Sequence, residues 1–167
     1  MSTTVPSIEV AEDQNRVVFL VKSRGTFQLA PLLKGYVNEK LKTGSCHFEI
    51  NMSDCAAMDS SFLGTLAGLS YAIKKAGGTG SITIRQANER NTESLKNLGI
   101  DRLFQMAGEM IDYPGMSFQP LTNTTITKNE TMKQSLEAHE TLIKADDANQ
   151  AKFKDVVDML KKDLSKE

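Results

Sequence analysis

The residues with the clearest chemical potential are one acid and two hydroxyls. Asp59, Ser60 and Ser61 follow one another in the stretch CAAMDSSFLGTLAGL, positions 55–69. The residues before them are typical of the end of an apolar strand, and those after them have the apolar spacing of a helix. Each of the three side chains can accept a hydrogen bond from a free N–H group at the start of that helix, which stabilises it by about 1 kcal/mol. One helix cap explains one polar residue and leaves two unexplained.

A hydroxyl at the start of a helix also suits a phosphorylation switch. A phosphoryl group adds a charge of about −2, and the dipole of the helix tolerates negative charge at its N-terminus. The surface would change sign while the fold survived, which is what a switch that controls docking needs. A third interpretation, a nucleophilic serine, has little support, because the sequence has no GxSxG pattern and no base near these serines.

Other residue types do not indicate an enzyme or a cofactor site. His47 and His139 are far apart in the sequence and neither has the spacing of a metal ligand. We expect His47 to lie on the solvent face of a strand. The glycine-rich stretch AGGTGS at 76–81 lacks the lysine of a phosphate-binding loop and lies between a predicted helix and strand, which is the wrong order. The sequence therefore predicts a non-catalytic protein without a metal.

Composition and charge are those of an average globular protein. The 167 residues are 40% hydrophobic and 25% charged, and the formal net charge of −1 gives no long-range attraction to nucleic acid. The first ten residues lack the features of a signal peptide, and no apolar run approaches the ~20 residues of a membrane helix. We expect a cytoplasmic protein in which Cys46 and Cys55 are small buried thiols.

The composition changes near residue 125, which indicates two parts. All prolines, all glycines and nine of the ten aromatic residues lie before that point, whereas the remainder has no Gly or Pro and has a helix-favouring composition. The breakers Pro114, Gly115 and Pro120 mark a linker. We therefore predict a globular domain over 1–112, a linker over 113–127 and a helical extension over 128–167.

Within the first part, strand and helix patterns alternate. The order is strand, strand, helix, strand, helix, strand, helix, which favours a mixed sheet with helices packed against it. In the first helix Pro31 must occupy the first turn, and Gly44 is a plausible end. In the third helix Asn91 or Thr92 can cap the start and Gly99 the end. The fold class predicted is α/β.

Three segments together resemble the STAS domain family, typified by bacterial anti-sigma factor antagonists. FEINMSDCAAMDSSFLGTLAGL resembles its central strand, turn and helix; VVFLVKSRGTFQLAPLLKGYVNEKL resembles the preceding strand and helix; and GGTGSITIRQANERNTESLKNLGIDRLFQM resembles the later strand, third helix and short closing strand. The resemblance covers about residues 7–107. It implies a mixed sheet of four or five strands with helices on one face and a regulatory binding role without catalysis.

The family resemblance also implies a position for the switch. In many members a kinase-type anti-sigma factor phosphorylates the serine of a DSSGLG-like turn, and the unphosphorylated form binds the anti-sigma factor and frees the sigma factor. The phosphoacceptor corresponds to Ser61, and Asp59 and Ser60 to the turn before it. Leu63 and Gly64 correspond to the apolar anchor and the close-packed start of the helix. We expect the Ser61 hydroxyl to lie at the surface.

Three positions depart from the family pattern. Phe62 replaces the glycine after the acceptor, Asn51 replaces the acid at the end of the strand, and Thr26 replaces the acid before the first helix. The last two changes remove negative charge from around Ser61. We expect Phe62 to be partly exposed and to serve as an aromatic anchor for a partner.

The resemblance implies an anti-sigma factor or serine kinase of the sigma-regulating type as the partner. An alternative is a non-catalytic subunit of a lipid-transport or stress-signalling assembly, in which the same domain is a structural partner. The resemblance does not extend to the helical extension.

The extension has its own apolar pattern with steps of three and four, which indicates a heptad seam with a polar middle. Its members are Met132, Leu136, His139, Ile143, Asp146, Gln150, Phe153, Val157, Leu160 and Leu164. Such a helix must bury its seam to be stable. We expect residues 128–164 to be mostly helical and to pack on the domain, on each other as a hairpin near Asp146, or on another chain, either a partner or a second copy. Packing within one chain ranks slightly above self-association, because the middle is polar.

Overall fold

The computed structural model describes residues 5–14, 16–44, 47–77, 80–122 and 126–166. Within these ranges, seven strands form a single sheet with mixed directions. They are β1 (Ser7–Glu12), β2 (Val17–Gly25), β3 (His47–Asn51), β4 (Cys55–Met58), β5 (Ser81–Arg85), β6 (Gln105–Ala107) and β7 (Gln119–Pro120).

The sheet has the order β6-β5-β3-β2-β1-β7, with β4 paired to the end of β2. β2, β3, β5 and β6 are parallel, whereas β1 is antiparallel to both β2 and β7. The parallel pairs require crossovers, which the helices provide. The mixed α/β class is therefore confirmed, and the short strands β4 and β7 add to the strands expected. Cys46, expected to be a small buried thiol, lies outside the described residues.

In the described parts of the chain, five α-helices accompany the sheet. They are α1 (Ala30–Lys42), α2 (Ser60–Gly77), α3 (Glu89–Asn97), α4 (Lys128–Ala145) and α5 (Asn149–Leu164). Pro31 lies in the first turn of α1, where its missing N–H costs nothing. The cap of α3 is Asn88, whose side chain accepts from the Asn91 N–H, so the predicted caps Asn91 and Thr92 lie one turn too late. Gly99, at φ +68°, ends that helix as expected.

One hydrophobic core joins the sheet to α1, α2 and α3 and also includes Leu142 and Ala145 of α4. Phe19 and Ile50 of the sheet, Leu33 of α1, Leu66 of α2 and Leu95 of α3 are all buried in it. Alternation along β3 turns Phe48 and Ile50 towards this core and Glu49 towards the opposite face. His47 is exposed, as expected.

The extension folds into a hairpin of α4 and α5, here called the C-terminal hairpin, which packs on α2. A capping box of Thr127 and Glu130 starts α4, and the turn between the helices falls at 146–148. The expected helices and the hairpin near Asp146 are thus confirmed. The seam is correct only in part. Its members His139, Val157 and Leu160 are buried. Leu136 and Ile143 are only half-buried, and α4 also buries Ala138, Leu142 and Ala145, because it packs on α2 as well as on α5. No helix in the described ranges is long and apolar enough to cross a membrane.

Candidate functional site

The candidate site lies where two parallel strands end side by side. β2 and β4 pair up to Gly25 and Met58, and the Asp59 N–H donates to the Gly25 carbonyl at 2.9 Å. The loop after β2 leads into α1, and the turn after β4 leads into α2. The turn after β4 consists of Asp59, Ser60 and Ser61 and is here called the DSS turn. The sheet therefore brings this turn and the loop that contains Thr26 together at its carboxyl edge, the usual place for binding sites in such sheets.

Asp59 holds both segments with one carboxylate. Its Oδ1 accepts from the Phe62 N–H at 2.8 Å, which is the N-cap bond of α2, and its Oδ2 accepts from the Phe27 N–H at 2.6 Å. Of the three capping candidates, Asp59 is therefore the cap. It also fixes the loop after β2 relative to the start of α2.

Both serines of the turn form hydrogen bonds with the C-terminal hairpin. Ser60 Oγ lies 2.8 Å from His139 Nε2, and Ser61 Oγ lies 2.8 Å from Ser135 Oγ. Ser61 is only 8% exposed, so the expectation of a surface hydroxyl is wrong for this conformation. The physical reason is that α4 lies across the first turns of α2, a contact between segments more than 70 residues apart.

The Ser60–His139 contact is linked to a second bond of the same ring. His139 Nδ1 lies 2.7 Å from the Ser135 carbonyl, which can only accept, so Nδ1 donates. In the neutral imidazole Nε2 then accepts from the Ser60 hydroxyl. A base therefore does accompany a serine of this turn, contrary to the sequence prediction. The imidazole is nevertheless buried and lies against Phe153, with the ring centres 5.1 Å apart. This contact joins α4 to α2.

Phe62 and Leu63 face the hydrophobic core. Phe62 is fully buried, and its ring is so close to Gly25 that a Cβ there would come within 2.7 Å of Phe62 Cδ1. The expectation of a partly exposed aromatic anchor at 62 is therefore wrong, because the glycine at the end of β2 opens a space that the ring fills. Leu63 is also buried, which leaves neither residue as a surface contact in this conformation.

Gly64 marks the closest approach of α2 and α4. A Cβ at Gly64 would lie 2.3 Å from the Ala138 carbonyl oxygen, whereas a Cβ at Gly68, one turn later, would lie 3.9 Å from Thr141. Only the first position requires glycine. The crossing of the two helices is fixed at that point.

Thr26 and Asn51 have different surroundings. The Thr26 hydroxyl is buried and has no hydrogen-bond partner among the described residues, and its carbonyl accepts from the first N–H groups of α1. Asn51 bonds Tyr113 and the Ser53 N–H, and by strand alternation it lies on the same face as Glu49. The side chain of Asn51 makes no hydrogen bond to the DSS turn.

Phe27 is a residue that the sequence analysis missed. Its side chain is 46% exposed, while its N–H is held by Asp59. It lines a largely apolar groove with Gln28, Met132, Ser135 and Leu160. Its place directly after Thr26, in a loop before a helix, was the only sequence signal.

A second cluster lies on the opposite face of the sheet, around Glu49. Its carboxylate, 4% exposed, is paired with Arg85 at 2.8 Å and Arg16 at 3.2 Å, and it accepts from the Tyr113 hydroxyl. Burial raises the pKa of Glu49, but the hydrogen bonds from Arg85 and Tyr113 and the two guanidinium charges outweigh it and hold the pKa below its ordinary value. The cluster anchors the segment around Tyr113 to the sheet.

Comparison with known proteins gives one family match and several similar structures. The model of the STAS domain matches residues 7–111, which excludes α4 and α5. A candidate anti-sigma factor antagonist from Thermotoga maritima is 20% identical, with 60% of this chain and 86% of that chain covered and a TM-score of 0.54. An anti-sigma factor antagonist from Mycobacterium paratuberculosis is 16% identical, with 64% and 88% covered and a TM-score of 0.53.

The Bacillus cell fate determinant SpoIIAA in its phosphorylated form is 13% identical, with 62% and 93% covered and a TM-score of 0.52. At these identities the similarity shows the fold alone. Among curated proteins no sequence match was found.

Proposed function

We propose that this chain, which belongs to the STAS domain family, is a cytoplasmic, non-catalytic regulator of the anti-sigma factor antagonist type. Its partner is an anti-sigma factor of the serine kinase type, which docks at the carboxyl edge of the sheet and phosphorylates Ser61. The docking surface comprises Thr26, Asp59, Ser60, Ser61 and Gly64, with Phe27 added as its exposed anchor. Phe62 and Leu63 lie beneath it in the core, and Asn51 lies on the opposite face of the sheet.

The observation that carries the proposal is the construction of the DSS turn. Asp59 caps α2 and clamps the Phe27 loop, so Ser60 and Ser61 lie in the first turn of an 18-residue helix. Backbone N–H groups and the helix dipole favour a negative group there. A phosphate on Ser61 would be tolerated by α2 itself, yet it would add charge next to Ser135 and the buried His139.

The side chains divide into two roles under this proposal. Phe62 and Leu63 contribute indirectly, because their buried side chains fix α2 against the sheet. Phe27, by contrast, offers the partner an exposed apolar surface. Aromatic side chains with a rigid backbone are frequent anchors of protein interfaces. The partner is thus expected to present an apolar side chain to the loop after β2.

The switch is tested with the kinase-type anti-sigma factors encoded in the same genome. Purified protein is incubated with each kinase and ATP, and the modified residue is mapped by mass spectrometry. We expect phosphate on Ser61, lost in Ser61→Ala, and weaker binding of the partner by Ser61→Asp. Phosphate on another residue, or equal binding by both variants, would contradict the proposal. Recovery of a permease ATPase in co-purification would favour the transport assembly instead.

Phe27→Ala tests the anchor. Because the side chain is half exposed, we expect partner binding to weaken by about 2 kcal/mol, as for a typical hot spot. The measurement is titration calorimetry with the partner identified above. Gln28→Ala, the neighbouring exposed position in the same groove, is the control and should change binding little. Equal effects of the two substitutions would show that Phe27 is not an anchor.

A further inference from the structure

We propose that the C-terminal hairpin is a displaceable cover of the docking surface: it closes over Ser60, Ser61 and Gly64 and must leave for these residues to be reached. The inference rests on the proposed function for its biological meaning. The opening itself is a property of this chain and is testable without any partner. The division into a binding domain (1–112), a linker (113–127) and a cover (128–167) is part of this proposal.

The cover and the docking surface coincide. Both hydroxyls of the turn are bonded to α4, through His139 and Ser135, and the Ala138 backbone rests on Gly64. A phosphate on Ser61 and α4 in its present position would occupy the same space. Closure of the hairpin and use of Ser61 therefore exclude each other.

The interface has the composition of a contact that can separate. Of the residues that α4 buries, Leu142 is the only large apolar one, alongside Ala138, Ala145 and His139. Burial of apolar surface is the main driving force for such packing. Leu142 and Ala145 belong to the same hydrophobic core as the sheet, α1 and α2, but those elements contribute many more of its large apolar side chains. The contact of α4 with the domain thus depends on fewer large apolar side chains than the rest of the core.

Polar groups at the same interface are only partly satisfied. Gln134 lies near Gly64, and its Nε2 is buried with no hydrogen-bond partner among the described residues. A buried donor without a partner favours the open state, in which water can bond it. The ion pair of Lys34 with Glu137 is largely solvent-exposed on the glutamate side and adds little to closure.

A separate set of contacts fixes the tip of the hairpin. Asn149 is fully buried and donates to the Leu98 carbonyl at 2.9 Å and the Leu142 carbonyl at 2.7 Å. Arg102 donates to the Ala145 carbonyl, and Lys152 to the Asn97 carbonyl. These bonds join the turn at 146–148 to the end of α3, away from the DSS turn. They act as a latch that can be weakened without altering the docking surface.

Opening is measured as the reactivity of a thiol placed beneath the cover. Ser61→Cys is made in the full chain and treated with a maleimide, and the reactivity of the parent chain is subtracted. Gly64→Ala is added to push α4 away, since its methyl group would overlap the Ala138 carbonyl. We expect it to raise the reaction rate of the thiol by about tenfold or more.

Two matched controls separate opening of the cover from unfolding of the domain. Gly68→Ala adds the same methyl group one turn later, where the nearest atom is 3.9 Å away, and should leave the rate unchanged. Ser70→Cys places the thiol on the same helix but at a different contact. The Ser70 hydroxyl donates to the Leu103 carbonyl of the domain and not to a residue of α4. Its rate should not respond to Gly64→Ala.

A second variant tests the opening of the hairpin independently, in case the Gly64→Ala protein does not fold. Asn149→Ala weakens the latch and should also raise the rate at Ser61→Cys and not at Ser70→Cys. The proposal is overturned if neither substitution changes the rate at Ser61→Cys, which would make the hairpin a permanent part of the core. It is equally overturned if both thiols respond in parallel, because the hairpin and the domain would then open only together. Neither result depends on whether an anti-sigma partner exists.

Discussion

Replacing Phe62 with alanine is expected to lower the free energy of unfolding by about 3–5 kcal/mol. The ring is fully buried and fills the space above Gly25 together with the side chain of Met58. Its removal leaves a cavity between α2 and the end of β2, and a packed core closes such a cavity only in part. Urea denaturation followed by circular dichroism measures the loss.

Phe27→Ala is the matched control, because it removes the same ring from the neighbouring loop. Phe27 is 46% exposed, so its loss should cost less than about 1 kcal/mol. Equal losses for the two variants would contradict the placement of Phe62 in the core. So would a stable Phe62→Ala protein with reduced partner binding, which is the behaviour of a surface anchor.

Arg85→Met is expected to destabilise the protein by about 3 kcal/mol. It leaves the Glu49 carboxylate buried with only Arg16 and Tyr113 as partners, and a buried charge that loses its closest counter-ion is costly. Arg16→Met should cost less, because Arg16 is 32% exposed against 14% for Arg85. Equal effects of the two substitutions would show that the cluster is not organised around the Glu49–Arg85 pair. Denaturation at neutral pH provides the comparison.

The same cluster makes stability depend on pH. Since the pKa of Glu49 is held below its ordinary value in the folded protein, its contribution is fully present above the pKa of the unfolded chain. It is lost as the pH falls through the folded pKa, which lies below 4.5. We expect Glu49→Gln to flatten the acid side of the profile of unfolding free energy against pH. A profile as steep as that of the wild type would assign the acid sensitivity to other carboxylates.

The sequence predicted those parts of the structure that local patterns determine. The apolar periods of β2, α1, β3 and α2 follow from side chains within a few positions of one another, and so does the hairpin turn near Asp146. The DSS turn was recognisable because a polar triplet interrupts an apolar strand and helix. Its cap could not be assigned among three residues until the Phe27 and Phe62 N–H groups were located.

The wrong expectations about the site all involve contacts between distant segments, whereas the misplaced cap of α3 is a local error. Ser61 is buried by Ser135, and Gly64 is in contact with Ala138, positions for which the sequence contains no pairing signal. Phe62 was expected at the surface because the family pattern has a glycine at that position. In the structure its ring instead packs against Gly25 at the end of β2. The Glu49 cluster was missed because its members come from two strands and two loops, and only the fold brings them together.

The hairpin is attached by a short piece of chain, which has a quantitative consequence. Leu121 is fixed at the edge of the sheet by its bond to the Ile8 carbonyl, and α4 begins at Lys128. A segment tethered so closely competes at an effective concentration on the order of millimolar. The closed fraction is therefore the same whether the cell makes few or many copies of the protein. The apparent affinity for a partner is reduced by the fraction of molecules that are open, so the strength of the latch at Asn149 sets the partner concentration at which the protein begins to respond.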